Sequence, residues 1–400
     1  MTLALVAQIV FFSALALLVY TYVGYPALMF VLSRIHGLPV KRANIFPRVS
    51  MIIAAHNEEA DIAAKLENAL ALEYPPGWLE IVVASDCSAD RTDDIVRSYA
   101  PRGVKLYRQE QHYGKTIAQN SAVKHTSGEI LVFSDATTMY RPDAVRQIVR
   151  PFADPTVGCV AGQLVYEDRT ATVVGDGCKS YWGYEKMIKQ SESEVCSLIG
   201  VSGCLYAVRR SCHQKLANDM IDDFVIATEI RLQGLRTVYE PAAISSEDTN
   251  QKGKDEFRMR VRVIQQTFSA LQRYSEVLSL PQQGMFAFQM ISHKVMRYLV
   301  PAFLLLAFVA NALLVREHLV YSMTFFAQVA CYALAVLGWA GDKLSLKLGS
   351  FALPYYFVLA NAAIVIAFIK FMRGESRVVW QSVRNGPLPN ETKAEQTAGA

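Results

Sequence analysis

Three apolar runs in this chain end in groups that can bind ligands. His56-Asn57-Glu58 follows Val49–Ala54, Asp86 follows Ile81–Ser85, and Asp135 follows Ile130–Ser134. A carboxylate accepts hydrogen bonds from N–H and hydroxyl donors, and its oxygens suit hard divalent cations. Strand-end acids also make turns and helix caps, so one alone means little. Three successive runs ending this way call for a site that uses them together.

The elements that must carry these groups follow from the spacing. Val49–Ala54, Ile81–Ser85, Val104–Tyr107 and Ile130–Ser134 read as strands, and Glu59–Leu72, Asp90–Ala100, Thr116–Thr126 and Pro142–Pro151 as helices. Strand–helix alternation predicts an α/β domain with a mostly parallel sheet covered on both faces. Ligands in such sheets bind beyond the carboxyl ends of the strands, where these acids stand. Neither GxGxxG nor GxxxxGK[ST] follows a strand, which argues against a dinucleotide fold or a P-loop.

The 400 residues are 52% hydrophobic, and the charge is concentrated between Lys41 and Arg297. Leu3–Leu32 carries no charged residue and exceeds the roughly 20 residues that span hydrocarbon. No basic residue precedes it, which speaks against a signal peptide. Arg34, Lys41, Arg42 and Arg48 follow it and predict a cytoplasmic domain. Tyr298–Val315, Leu319–Ala340 and Phe351–Ile369 are further candidate spans. Four crossings would return the chain to the outside, whereas Lys370, Arg373, Arg377 and Arg384 favour the inside; the sequence leaves that alternation open. Across Asp255–Ser279, apolar residues recur at helical spacing with Arg258, Arg260, Arg262 and Arg273 among them. This predicts an amphipathic helix, lying on the membrane or packed on the soluble domain.

The expected organisation is an anchor over 1–33, a cytoplasmic domain over 41–254, amphipathic interface helices over 255–294, transmembrane helices over 295–372 and a disordered tail over 385–400. An integral protein of the inner or plasma membrane would have this layout. The net charge of +4 is too small to argue for nucleic acid. Seven cysteines without a CxxC pair suggest neither a disulfide framework nor a zinc site.

In order along the chain stand Pro47–Glu59 with His-Asn-Glu-Glu, Glu80–Thr92 with Ser-Asp, Gly114-Lys115 with Asn120, Phe133-Ser-Asp-Ala-Thr-Thr, Ile221-Asp-Asp-Phe and Gly234–Pro241. This series resembles the inverting family 2 glycosyltransferases over Pro47–Phe268, and is similar to membrane-bound cellulose, chitin and hyaluronan synthases and exopolysaccharide transferases. The resemblance implies a GT-A-like nucleotide-sugar-binding domain. It further implies a nucleotide-sugar donor, most simply a UDP-sugar, and a glycan or lipid-linked acceptor, with membrane lipids around the protein. Two departures stand out. Thr137 occupies the third position of the family's Asp-x-Asp motif, and the Gln-x-x-Arg-Trp motif of processive synthases is absent.

On this resemblance His56, Glu58 and Asp86 line the base and ribose, and Asp135 holds Mg2+ or Mn2+ against the diphosphate. Lys115 and one or more of Arg258, Arg260 and Arg262 supply positive charge, the arginines otherwise meeting lipid head groups. Asp223 is the general base and Asp222 its neighbour; in an extended segment the two would face opposite ways. The function implied is sugar transfer with inversion, in cell-surface or extracellular polysaccharide synthesis. The alternatives are a single addition onto a lipid carrier, or a scaffold with a degenerate sugar-nucleotide fold.

Overall fold

The computed structural model describes residues 2–167, 173–217, 220–248, 253–344 and 352–375, so the expected tail over 385–400 lies outside it. Helices α1 (Leu3–Val19) and α2 (Tyr25–His36) join through a π-helical turn, Tyr20–Gly24. The domain then runs β1 (Val49–Ala55), α3 (Ile62–Leu70), β2 (Leu79–Ser85), α4 (Thr92–Ser98), β3 (Val104–Arg108), α5 (Lys115–Val123), β4 (Ile130–Asp135), β5 (Met139–Tyr140) and α6 (Ala144–Val149). After it come β6 (Val157–Glu167), α7 (Val173–Val195), β7 (Leu205–Arg209), α8 (Asp222–Leu232), β8 (Arg236–Asp248) and α9 (Gly253–Arg273). Short helices α10 (Leu280–Gln283) and α11 (Met285–Gln289) and a π-helical turn, Met290–Val295, lead into α12 (Met296–Leu314), α13 (Leu319–Lys343) and α14 (Ala352–Met372).

The sheet order is β3-β2-β1-β4-β7-β6-β8-β5. The first four strands are parallel; β7 runs antiparallel between β4 and β6, and β6 pairs parallel with β8. β1 is buried throughout, and its side chains divide by alternation. Met51 and Ile53 pack with Val83, Val132 and Ile62 on one face, while Ile52 packs with Val82, Phe133 and Ile226 on the other. With helices on both faces, the C-terminal ends of β1, β2 and β4 are left as the open edge.

The four predicted strands and four predicted helices are present, the helices shorter than expected. Everything from β6 to β8 went unassigned in the sequence, because α7, α8 and the long strands there lack the clean alternation of the first half.

Among the described residues, four helices are long and apolar enough to cross a membrane: Leu3–His36, Met285–Leu314, Leu319–Lys343 and Leu353–Met372. α1 packs on α12 through Ala7, Phe11 and Ala14 against Ala307, Ala310 and Leu314, the alanines letting the backbones approach. α2 instead packs into the domain, with Tyr25 and Met29 against Ile188, Phe224 and Phe286. The last helix runs alongside α9, and the contacts advance together along both. Glu256 meets Tyr356, Val261 and Ile264 meet Ala363 and Ala367, and Phe268 meets Phe368 and Phe371. The amphipathic helix foreseen over Asp255–Ser279 thus lays its apolar stripe on α14.

Candidate active site

A cavity of about 1040 Å³ opens at the C-terminal edge of the sheet and extends to the apolar helices. Glu58, Lys115, Asp135, Asp222, Asp223, Arg260 and Arg262 line it. Sequence reasoning thus collects seven of its ten candidates on one surface.

Asp135 is the last residue of β4, in register with Ala54 at the end of β1. Behind it, the buried Lys65 donates to the Thr138 carbonyl and lies 3.9 Å from the centre of the Tyr140 ring. Burial pulls the Lys65 ammonium down to about 7. This side chain fixes the turn that carries Asp135 from its rear.

Lys115 opens α5. Its predecessor Gly114 has φ +97 and ψ 161, a conformation that a side chain resists. Asp86 holds that loop: its carboxylate accepts from Gly114 N (2.7 Å), Tyr113 N (2.9 Å) and Gln109 Nε2 (2.8 Å). Lys115 Nζ reaches Asp135 Oδ1 at 2.6 Å, Asp222 Oδ2 at 3.5 Å and the Gly203 carbonyl at 3.5 Å. Burial by itself would lower this ammonium; Asp135, Asp222 and Asp223 outweigh it and hold it above the usual lysine range.

Asp222 and Asp223 occupy the first turn of α8, not an extended segment as expected. The free N–H groups and dipole of a helix start favour carboxylates there. Successive helical side chains diverge by only about 100°, so both line the cavity. Their surroundings differ. Asp222 accepts from the Tyr206 hydroxyl at 3.3 Å and faces Lys115. The Asp223 carboxylate takes no hydrogen bond among the described residues. Burial, and then the Asp222 charge, push Asp223 up to about 6, against the opposing pull of Lys294, Lys115 and Lys189.

The three arginines separate. Arg258 is exposed and does not line the cavity; it stands one helical turn before Arg262 on α9. Arg260 pairs with Glu256 at 2.8 Å and sits 4.7 Å from the centre of the Tyr356 ring. Arg262 faces Asp223, Asp222 and Asp135; burial lowers its pKa and these acids oppose that.

His56 and Asp86 also lie outside the cavity wall. His56 stacks on His112, ring centres 3.9 Å apart and planes 13° apart, and its Nδ1 meets the Asp86 carbonyl at 2.7 Å. His112 Nδ1 is 2.8 Å from Asp86 Oδ2. Ligand atoms of these three lie within 4.8 Å of one another. Lone pairs of two parallel rings point along parallel planes and do not converge on one ion, so the stack suits a planar group better than a metal. Burial draws His56 below the usual histidine value.

Sequence reasoning missed Glu247, Lys189, Lys294 and His112. Glu247, near the end of β8, lines the cavity and accepts from Thr137 Oγ1 at 3.1 Å. It stands over a hundred residues from Thr137, and only the placement of β8 could have revealed it. Lys189 donates to Ser202 Oγ at 2.9 Å, and Lys294 lies in the π-helical turn before α12. His112, two residues before Gly114, was within reach of the Gly-Lys signal.

Comparison with known proteins fits this geometry. Residues 50–216 match the family described as Glycosyl transferase family 2. The probable glycosyltransferase YdaM of Bacillus subtilis is 29% identical over 241 residues, covering 56% of this chain and 57% of that protein. The poly-β-1,6-N-acetyl-D-glucosamine synthase of Staphylococcus epidermidis is 26% identical over 202 residues, covering 49% of this chain and 48% of that one. The chain thus spans about half the length of the curated relatives it matches. The mannosyltransferase PcManGT from Pyrobaculum calidifontis, solved with GDP-Man and Mn2+, has a TM-score of 0.69 at 24% identity, covering 91% of this chain and 99% of that one. That likeness bears on the fold, which is the GT-A-like arrangement the sequence implied.

Proposed function

We propose that this chain, whose residues 50–216 match the family described as Glycosyl transferase family 2, transfers a sugar from a nucleotide-sugar donor, a UDP-sugar first among them, to a glycan or lipid-linked acceptor with inversion. Cell-surface or extracellular polysaccharide synthesis is the proposed setting, as the polysaccharide synthase among its relatives suggests. One observation carries the reading. Asp135, Lys115 and the pair Asp222-Asp223 come from three places in the chain and meet on one cavity wall, Lys115 bridging two of the acids.

A divalent cation fits the donor set. Thr137 has no carboxylate to offer, but it is hydrogen-bonded to one that β8 brings in, Glu247. Asp135 and Glu247 would hold Mg2+ or Mn2+, oxygen ligands suited to either. When bound, the cation neutralises charge on the diphosphate. Lys115 then exchanges its contact with Asp135 for a phosphate oxygen, and Arg262 approaches the same charge from α9. Charge on the leaving diphosphate grows as the glycosidic bond breaks, so preplaced cations lower that barrier. Asp222, tied to Tyr206 and Lys115, positions the start of α8. Asp223 takes the proton of the acceptor hydroxyl as its oxygen attacks the anomeric carbon from the side opposite the departing nucleotide. The stacked pair His56–His112 lies beside the Asp86 loop and offers a flat face to the base.

For the membrane we propose a cytoplasmic catalytic domain, with α1, α12 and α13 crossing and α14 lying along the inner surface beside α9. A helix bearing Lys254, Asp255, Glu256, Arg258, Arg260 and Arg262 does not enter hydrocarbon, and α14 keeps to its side over most of its length. Three crossings bring Lys370 and Arg373 to the inside, as their charge favours.

A screen of nucleotide sugars against the detergent-solubilised full chain, with Mg2+ or Mn2+, tests the reading. Release of nucleoside diphosphate from at least one donor is expected. No release from any donor would overturn it in favour of a scaffold.

A further inference from the structure

Two carboxylates, a histidine and an arginine meet where the domain joins the apolar helices, and no step of the transfer uses them. Glu185 and Glu192 stand seven residues apart on α7, and His293 and Arg297 four apart across the π-helical turn Met290–Val295 and the start of α12. At these spacings each pair shares one helix face. His293 Nδ1 meets Glu192 Oε1 at 2.7 Å, His293 Nε2 lies 3.4 Å from Glu185 Oε2, and Arg297 pairs with Glu185. The Tyr25 hydroxyl of α2 donates to the same Glu192 oxygen, and Gln289 Nε2 donates to the Glu192 carbonyl at 3.1 Å. Glu185, Glu192 and His293 are all buried. Taking ions out of water is costly, and apolar residues of similar volume often hold a fold as well. What ionic contacts one turn apart supply instead is geometry, because together they fix the depth and the rotation of a helix.

The residue whose direction they fix is the one beside His293. Lys294 lines the cavity and lies 5.7 Å from the centre of the ring of Phe224, the residue after Asp223. Asp223 is faced by Asp222 from its own helix, Lys115 from α5, Lys189 from α7, Arg262 from α9 and Lys294 from the turn before α12. Lys115 is held by Asp135 and Asp222, Lys189 donates to Ser202 Oγ, and Arg262 faces all three acids. Burial and the Asp222 charge raise Asp223, and among the lysines that oppose them Lys294 acts most strongly. A π-helical turn is rare and is found most often at functional sites; this one carries His293 toward α7 and Lys294 toward the acids.

We propose that the His293–Glu192 contact, with Arg297–Glu185 one turn on, is a positioning device for the transfer: it holds the helix at the rotation that sets Lys294 against the base Asp223. The inference rests on the glycosyltransferase reading. His293 and Lys294 touch neither donor nor acceptor. They act through Asp223, keeping its carboxylate ionised beside the negative charge of an arriving diphosphate.

The test follows nucleoside diphosphate release by the full chain in detergent with Mn2+, at saturating donor, from about pH 5 to about pH 8. The probe is whichever of UDP-glucose, UDP-N-acetylglucosamine and GDP-mannose the wild type hydrolyses fastest, with water as acceptor. Lys294→Met should raise the midpoint of the acid limb by about one pH unit, a rate about tenfold lower on that limb. Lys294→Arg should leave the midpoint in place, and His293→Phe should raise it. Glu192→Gln removes a negative charge, which by itself lowers the midpoint, so a rise there reports the lost anchor. Combined with Lys294→Met, neither anchor change should raise the midpoint further, because effects that run through one group do not add. An unmoved midpoint in Lys294→Met overturns the proposal, as does a rise from His293→Phe that persists without Lys294, or a fall or no change in Glu192→Gln. Thermal unfolding shows whether each variant folds, and the nearly isosteric Glu192→Gln decides if His293→Phe does not. Release with an unchanged profile in every variant sinks the positioning role alone; no release from any nucleotide sugar sinks the transferase reading and this one with it.

Discussion

Replacing Asp223 by Asn keeps the size of the side chain and most of its hydrogen bonding but removes its ability to take a proton. The geometry sets the expected outcome. Asp223 is the member of the acid pair without a hydrogen-bond partner among the described residues, while Asp222 is engaged by Tyr206 and Lys115. Burial and the Asp222 charge raise Asp223 to about 6. At pH 7.5 such a group is almost wholly ionised, and at pH 5 only about a tenth is. The wild-type rate should therefore fall about tenfold from its plateau as pH drops from 7.5 to 5. Asp223→Asn should lose about 10²–10⁴-fold in turnover at pH 7.5 and lose that limb of the profile. Nucleoside diphosphate affinity should stay within a few fold. The folded state binds this proton more tightly than the unfolded chain does. The stability it contributes is thus present at acid pH and lost as pH rises through about 6. At pH 7.5 the Asn variant should consequently unfold at the same temperature as wild type or higher, which separates lost chemistry from lost folding. The assay is the transfer rate against pH, with nucleotide titration and thermal unfolding on the same samples. Near wild-type transfer by Asp223→Asn refutes the reasoning, and a comparable loss in Asp222→Asn alone would move the base to that residue.

Chelation should abolish transfer, and Asp135→Ala and Glu247→Gln should each weaken Mn2+ binding, read by electron paramagnetic resonance without substrate, by at least about tenfold; unchanged binding in Glu247→Gln would leave the ion to Asp135. Arg373→Cys should resist an impermeant maleimide on intact cells and react in inverted vesicles; labelling on intact cells would mean that α14 crosses. Gly128→Ala places a Cβ 2.4 Å from Ser50 N and 2.6 Å from the Val49 carbonyl carbon, backbone that cannot retreat without opening β1. It should lower stability by about 1–3 kcal/mol or more, seen as an earlier thermal transition, and an unchanged transition would show that the β1–β4 junction yields.

The first half of the domain was legible in the sequence because each parallel strand is buried on both faces and reads as one apolar run with its acid at the end. Val49–Ala55, Leu79–Ser85 and Ile130–Asp135 needed only that pattern, and so did Asp135 as a site residue. The long uncharged stretches likewise declared themselves as candidate spans by length. Other features exist only once the chain is folded. Glu247 meets Thr137 at the cavity because β8 returns beside β5 and β6. Asp86 also clamps the Gly114 loop, its oxygens meeting the Tyr113 and Gly114 amides and the Gln109 side chain, contacts that no spacing announces. Arg258 and Arg262 are chemically alike in the sequence and lie one helical turn apart on α9; what packs around each turn leaves the first exposed and brings the second to the acids. The apolarity of Phe351–Ile369 marked a stretch that lipid can dissolve, whereas only the fold shows that the helix there packs along the charged helix α9, because a packing partner distant in sequence leaves no local pattern.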